Sequence, residues 1–287
     1  MDDVKLAFIG GTGLYQIEGV VITDSVDIDT PFGKPSDCIK IARYGERTAA
    51  FLPRHGVGHR YLPSEIPVKA NIYALKKIGV QRIVAVSAVG SLKEEIRPRD
   101  VVIPNQIIDR TKQRPNSYFG DGVVGHVGFA DPFCFELAEL LYGTVKDLGY
   151  RVHRNETYVC MEGPLFSTRA ESNLYRSWGG GVIGMTAIPE SKLAREAEIC
   201  YALLAMSTDY DCWKDEGDDV TVEMIVQNLK ANTLTAQAII KKLIERIPED
   251  MSCTCREAAR FAILTDRDHI PAEVRKRLEL FYGKYWA

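Results

Sequence analysis

The chain has little net charge to offer a partner. Its 36 Lys and Arg stand against 39 Asp and Glu over 287 residues, a formal net charge of -3. That leaves no broad basic footprint, so no nucleic-acid partner is expected. No apolar run approaches the roughly 18–20 residues that a membrane span needs, so no membrane partner is expected either. Residues 1–20 lack a basic stretch followed by a cleavable apolar segment, and the reading is a cytoplasmic protein. Internal repeats, low-complexity tracts and Pro/Gly/Ser-rich linkers are missing too. The chain reads as a single domain, residues 1–287, with a C-terminal helical extension from about residue 248.

Metal-ligand spacing is almost absent. His55 and His59 lie four apart, but Gly56 and Gly58 make the helix that such a pair would need a poor fit. Of the seven cysteines, Cys38, Cys134, Cys160, Cys200 and Cys212 are scattered in apolar or strand-like surroundings and are expected to stay reduced. Cys253 and Cys255 form a CxC pair, which could be a redox pair or half a metal site. No second CxC or matching His pair completes a zinc set, so no metal is expected. Two free thiols and a disulfide are the readings left.

What is present alternates. Apolar strand-like runs (Val4 to Ile9, Arg47 to Leu52, "RIVAVSAVGSL", "DVVIPNQIID", "TYVCMEGP", "GVIGMT", "CYALLAMSTDYDCW") are separated by segments of helical spacing. One helix carries Val68, Ile72, Leu75 and Ile78 and stops at Gly79; another runs from Asp131 to Leu148; a long one spans Thr221 to Ile247, with Val222, Ile225, Leu229, Ala236 and Ile240 toward one side. This alternation predicts an α/β fold with a central mixed, mainly parallel twisted sheet flanked by helices.

Polar residues collect where the strands end, where open α/β sheets place their ligands. The first strand runs into Gly10, Gly11, Thr12 and Gly13, a turn whose N–H groups can approach an anion. The turn is not GxGxxG, since Gln16 stands where the third glycine belongs, and no Gly-Lys-Ser/Thr follows it. A small free anion such as phosphate fits better. Thr12 would donate from its hydroxyl, Arg54 would offer a planar fork to two oxygens, and His55 would sit alongside. A plain tight turn and a surface ion pair explain the same residues equally well. Asp209 and Asp211 are one residue apart, so an extended chain would point both carboxylates the same way. One of two close carboxylates keeps its proton, giving the donor and acceptor that an adenine edge requires. Capping of the following loop is the competing reading.

Taken in order from about Lys5 to Lys241, the stretches IGGTGL, DTPFGKPSD, RHG, GSLKEEIRPRD, DRTKQRP, EGPLFSTRAES, GMTAIPE and STDYDCW resemble the trimeric purine nucleoside phosphorylase family. The resemblance implies phosphorolysis of S-methyl-5'-thioadenosine to adenine and 5-methylthioribose 1-phosphate, a step in purine and methionine salvage. It implies no metal or organic cofactor, inorganic phosphate as co-substrate, and a homo-oligomer, trimer or dimer of trimers. Phosphate would meet Thr12, Arg54, His55, Ser87, Ala88 and Thr186. Met185 would lie against the ribose, and Phe166 against the purine with Ser167 beside it. Asp209 and Asp211 would read the adenine edge, with Asp209, or the pair sharing a proton, serving N7. Val222 and Ile225 would line the 5'-methylthio pocket, with His126 contributed by a neighbouring subunit. An apolar pocket there favours a methylthio group by about 1–3 kcal/mol and penalises a buried hydroxyl. Relatives from hot environments carry a C-terminal CxC disulfide, which extends that option to Cys253 and Cys255. The alternatives are a broader purine nucleoside phosphorylase acting also on adenosine, inosine or guanosine, a nucleosidase using water, and a non-catalytic sensor.

Overall fold

The computed structural model describes residues 4–214 and 222–286, without the side chains of Thr12, Tyr15 and residues 222–226. The expected hydroxyl contact of Thr12 and the expected methylthio contacts of Val222 and Ile225 therefore lie outside the described part. Nine strands form one sheet. In chain order they are β1 (Leu6–Gly10), β2 (Val21–Val26), β3 (Ile39–Tyr44), β4 (Arg47–Pro53), β5 (Arg82–Ser91), β6 (Val101–Arg110), β7 (Val152–Met161), β8 (Gly180–Gly184) and β9 (Cys200–Asp209). The helices are α1 (Val68–Lys77), α2 (Phe135–Asp147), α3 (Arg169–Ser177), α4 (Ala187–Glu196), α5 (Val222–Arg246) and α6 (Ala272–Trp286).

The continuous apolar strands follow from cover on both faces. Along β1, Ala7 and Ile9 enter a core under α1, α4 and α6, whereas Leu6 and Phe8 enter a second core under α2 and α5. The same alternation divides Tyr201, Leu203 and Ala205 of β9 from Ala202, Leu204 and Met206. Spatial order is β2-β3-β4-β1-β5-β8-β7-β6-β9, and β9 pairs with β5 as well as β6. Five strands, β5, β8, β7, β6 and β9, thus close into a ring. The β1–β4, β1–β5, β5–β9, β6–β7 and β7–β8 pairings are parallel; β2–β3, β3–β4, β5–β8 and β6–β9 are antiparallel. The expected mixed, mainly parallel α/β architecture is the one observed.

Some boundaries differ from expectation. The helix expected from Asp131 begins only at Phe135, with Cys134 at its N-cap. In α5 the buried stripe is Ala236, Ile239, Ile240, Leu243 and Ile244, while Leu229 is exposed toward a cavity. α3 opens on a reciprocal capping box between Thr168 and Glu171. After residue 248 come two short turns and α6, whose Leu278, Phe281, Tyr282 and Trp286 join the first core.

Candidate active site

A cavity of about 710 Å³ opens beside the ends of β1, β4, β8 and β9 and the second half of β5. Gly10 closes β1 and leaves room for Leu14, whose side chain occupies the space a Cβ would need. Gly11 and Gly13 of the following turn line the cavity. β4 delivers Arg54 and His55; β5 delivers Ser87 and Ala88; β8 runs into Met185 and Thr186; β9 ends in Asp209 with Asp211 beyond it, and all eight line the same cavity. Of the other expected site residues, Phe166 lines the mouth, 80 % exposed. Ser167 is not part of the lining; its hydroxyl donates to Met161 Sδ at 3.5 Å and its carbonyl accepts from the Cys212 thiol. His126 is exposed and does not reach the cavity of its own chain.

Arg54 does not present the expected two-oxygen fork. Its guanidinium is buried and already committed. Nε and Nη2 hold the Glu190 carboxylate at 2.5 and 3.2 Å, Nη1 donates to the Val86 carbonyl at 2.9 Å and Nη2 to that of Ile9 at 3.2 Å. Four of five N–H donors are used, which leaves one on Nη1 for an anion. Burial works against the Arg54 charge, but Glu190 outweighs it and the pKa lies above the ordinary value. Glu190 also accepts from Tyr201 Oη at 3.0 Å. This buried acid was missed; the available signal was a lone Glu in an otherwise apolar stretch of GMTAIPE.

His55 Nδ1 lies 2.8 Å from the Tyr61 carbonyl, an acceptor only, so Nδ1 carries the proton. Burial lowers the His55 pKa, with the Arg54 charge adding to it. The neutral ring therefore keeps its lone pair on Nε2. His59 stacks on His55 with ring centroids 4.2 Å apart and joins the cavity wall. Ser87 Oγ donates to the Ala88 carbonyl at 3.1 Å and accepts from Thr186 Oγ1 at 3.0 Å. A second arginine missed from the sequence, Arg114, fixes the Met185–Ile188 turn. Its Nη1 donates to the carbonyls of Met185 and Ile188 at 2.6 Å each, and its Nε holds Glu162 at 3.1 Å.

The acid pair is built differently from the extended arrangement expected. β9 ends at Asp209, and Asp211 starts a short helical turn with a left-handed φ of 52°. The Asp211 N–H donates to Asp209 Oδ1 at 2.8 Å, and Thr208 Oγ1 donates to Asp209 Oδ2 at 2.6 Å. Ser172 Oγ donates to Asp211 Oδ2 at 2.5 Å. Both carboxylates still meet the cavity, because Gly90 has no side chain to intrude: a Cβ there would stand 3.2 Å from Asp209 Oδ1 and from Asp211 Cβ. Burial raises the Asp211 pKa, with a smaller contribution from the Asp209 charge, and the Ser172 bond offsets part of it.

Anion donors and an acid whose pKa is raised by burial, lining one cavity, suit cleavage of a sugar–base bond by a small oxyanion. The phosphorylase superfamily model matches residues 5–245, and the chain belongs to that superfamily. Within it, the chain belongs to the S-methyl-5'-thioadenosine phosphorylase family. It is 53% identical over 281 residues to the Geobacter sulfurreducens S-methyl-5'-thioadenosine phosphorylase, covering 98% of each chain. It is 52% identical to that of Thermosynechococcus vestitus, covering 98% of this chain and 99% of the relative. Among solved structures, a methylthioadenosine phosphorylase from an antarctic soil metagenomic library superposes with a TM-score of 0.92 at 46% identity, covering 98% of this chain and 99% of that one. A Schistosoma mansoni methylthioadenosine phosphorylase in complex with adenine matches with a TM-score of 0.83 at 33% identity, covering 90% of this chain and 96% of that one.

Proposed function

We propose that the chain is a pentosyltransferase that cleaves S-methyl-5'-thioadenosine with phosphate, releasing adenine and 5-methylthioribose 1-phosphate (EC 2.4.2.28). The observation that carries this reading is the single cavity lined by Arg54, His55, Ser87 and Thr186 together with Asp209 and Asp211. Phosphate rests on the turn N–H groups and the remaining Arg54 N–H, and on the Ser87 and Thr186 hydroxyls once their protons turn from Ala88 and Ser87 toward it; the Thr12 hydroxyl, outside the described side chains, belongs to the same proposal. His55 Nε2, neutral, accepts from a protonated phosphate oxygen. Met185 bears on the ribose and Phe166 on the purine, with Ser167 behind it.

As the C1'–N9 bond breaks, its electron pair goes to the purine and positive charge grows on C1', which the phosphate oxygen captures. We place the N7 proton on Asp211 rather than Asp209. Asp211 is the acid whose surroundings favour the protonated form, whereas both Asp209 oxygens already accept hydrogen bonds. Asp209 then accepts from the 6-amino group. Phosphate is co-substrate, and no metal or organic cofactor enters the reaction. The proposal includes a homo-oligomer, trimer or dimer of trimers, in the cytoplasm, with His126 of a neighbouring copy closing the methylthio end beside Val222 and Ile225. Among the described residues, no helix is long and apolar enough to cross a membrane.

A second reading, in which adenosine is also cleaved, has one observation in its favour. Asn232 lines the cavity, and its Oδ1 is buried without a partner, an acceptor suited to a substrate hydroxyl. Release of the free base (adenine from methylthioadenosine and adenosine, hypoxanthine from inosine), each with and without phosphate, tests both. Phosphate-dependent turnover greatest on methylthioadenosine is expected. Activity without phosphate would replace phosphorolysis by hydrolysis, and ligand binding without base release would make the chain a sensor.

A further inference from the structure

The two C-terminal cysteines that the sequence left without companions have them in the fold. Cys134, Cys200, Cys253 and Cys255 bring their sulfur atoms within 4.8 Å of one another, and Cys200 and Cys253 lie 3.2 Å apart. All four thiols are free, and none lines the catalytic cavity. They come from three separate stretches of chain. Cys134 is the N-cap of α2, Cys200 opens β9, and Cys253 and Cys255 belong to the segment after α5. We propose that these four cysteines form a tetrathiolate site for one zinc-class divalent ion, which pins the C-terminal segment to the sheet.

The dimensions suit it. Four thiolates about 2.3 Å from a tetrahedral zinc stand about 3.8 Å from one another, so the observed cluster closes on the ion with small side-chain movements. The backbone is already braced at that spacing. The Cys134 N–H donates to the Tyr201 carbonyl at 2.8 Å, next to Cys200, and Ser252, beside Cys253, donates from N and Oγ to Glu136 of α2 at 3.0 and 2.6 Å.

The surroundings suit the charge. Binding M²⁺ releases four thiol protons to solvent and leaves a group of net charge −2, with no change of oxidation state. Arg82 is buried, its Nε has no hydrogen-bond partner, and its charge acts on Cys200 and Cys253. Lys76 acts on Cys200 and Arg195 on Cys255. The N-terminus of α2, with Cys134 at its N-cap, adds its positive end. These cations also meet Glu198 and the carbonyls of Glu249, Gly128 and Asp131, and a tetrathiolate dianion adds the counter-charge they still lack.

The full chain, purified without chelator in parallel with and without reductant, tests this. Elemental analysis is expected to find about one zinc per chain, released by a thiol-blocking mercurial. Exchange for Co²⁺ is expected to give the sulfur-to-cobalt charge-transfer and tetrahedral ligand-field bands of a four-thiolate site. The double variant Cys253→Ser, Cys255→Ser is expected to lose the metal and unfold at lower temperature with kcat/KM unchanged. If that variant does not fold, the cobalt spectrum of the unaltered chain decides. A chain that takes up neither Zn²⁺ nor Co²⁺ with its thiols reduced, or that is isolated metal-free with a mass short of two or four hydrogens from disulfide formation, overturns the proposal.

Discussion

Asp209 and Asp211, the acids proposed to meet the purine, sit in different settings. Each Asp209 oxygen already accepts one hydrogen bond, from a backbone N–H and from a hydroxyl, whereas for Asp211 burial outweighs the Ser172 and Cys212 bonds that stabilise its charge. Its raised pKa has two consequences of definite sign. The proton needed at N7 is held below that pKa and lost above it, so kcat/KM should fall as pH rises through it. The stability linked to Asp211 is fully present below its unfolded pKa, near 3.8, and is lost as pH rises through the folded value. With Asp211 in the proposed acid role, Asp211→Asn should lower kcat by about 10²–10⁴-fold and flatten the alkaline limb of the profile, without lowering Tm. Steady-state rates across pH and a melting curve check this. Near-native turnover would take Asp211 out of the acid role.

Elements differ in how plainly they were written. β1, β5 and β9 are buried on both faces and run apolar through residues 6–9, 83–86 and 202–206, so they read directly from the chain. β2, "VITDSV", is exposed nearly throughout and carries no such run; nothing in its pattern separated it from a loop. Turn chemistry hid more of the site than strand patterning did. The spacing of Asp209 and Asp211 implied a shared face only for an extended chain, and the left-handed Asp211 replaced that by a tighter arrangement around Gly90. The Arg54–Glu190 pair joins residues 136 apart, and the cysteine cluster joins three segments. Spacing along the chain cannot report either. α6 illustrates the same limit, since its place in the core was not legible in the tail. Leu278→Ala, which empties a fully buried position there, should cost about 2–5 kcal/mol while leaving the KM for phosphate unchanged. Denaturant unfolding set beside phosphate kinetics tests this; a shifted KM would tie the tail to the site.

For the molecule as a whole, the proposed role of His126 makes each cavity the property of two chains. Phe261 and Leu264, exposed near it in the same bridged segment, give that face an apolar surface for a second copy. Mixing subunits carrying Asp211→Asn with subunits carrying His126→Ala should restore activity above either parent, because some hybrid sites draw an intact Asp211 from one chain and an intact His126 from the other. Mixtures no more active than the sum of the parents would confine the site to one chain. The closed ring of β5, β8, β7, β6 and β9 has a separate consequence for solubility. Its members have no unpaired flank, so among the described strands β2 alone presents one to solvent. There the ladder is broken between Ile22 and Asp24, and a carboxylate stands at the break. Strand-by-strand stacking of one molecule onto the next, the first step toward a fibre, meets an irregular and charged border at the one place it could begin.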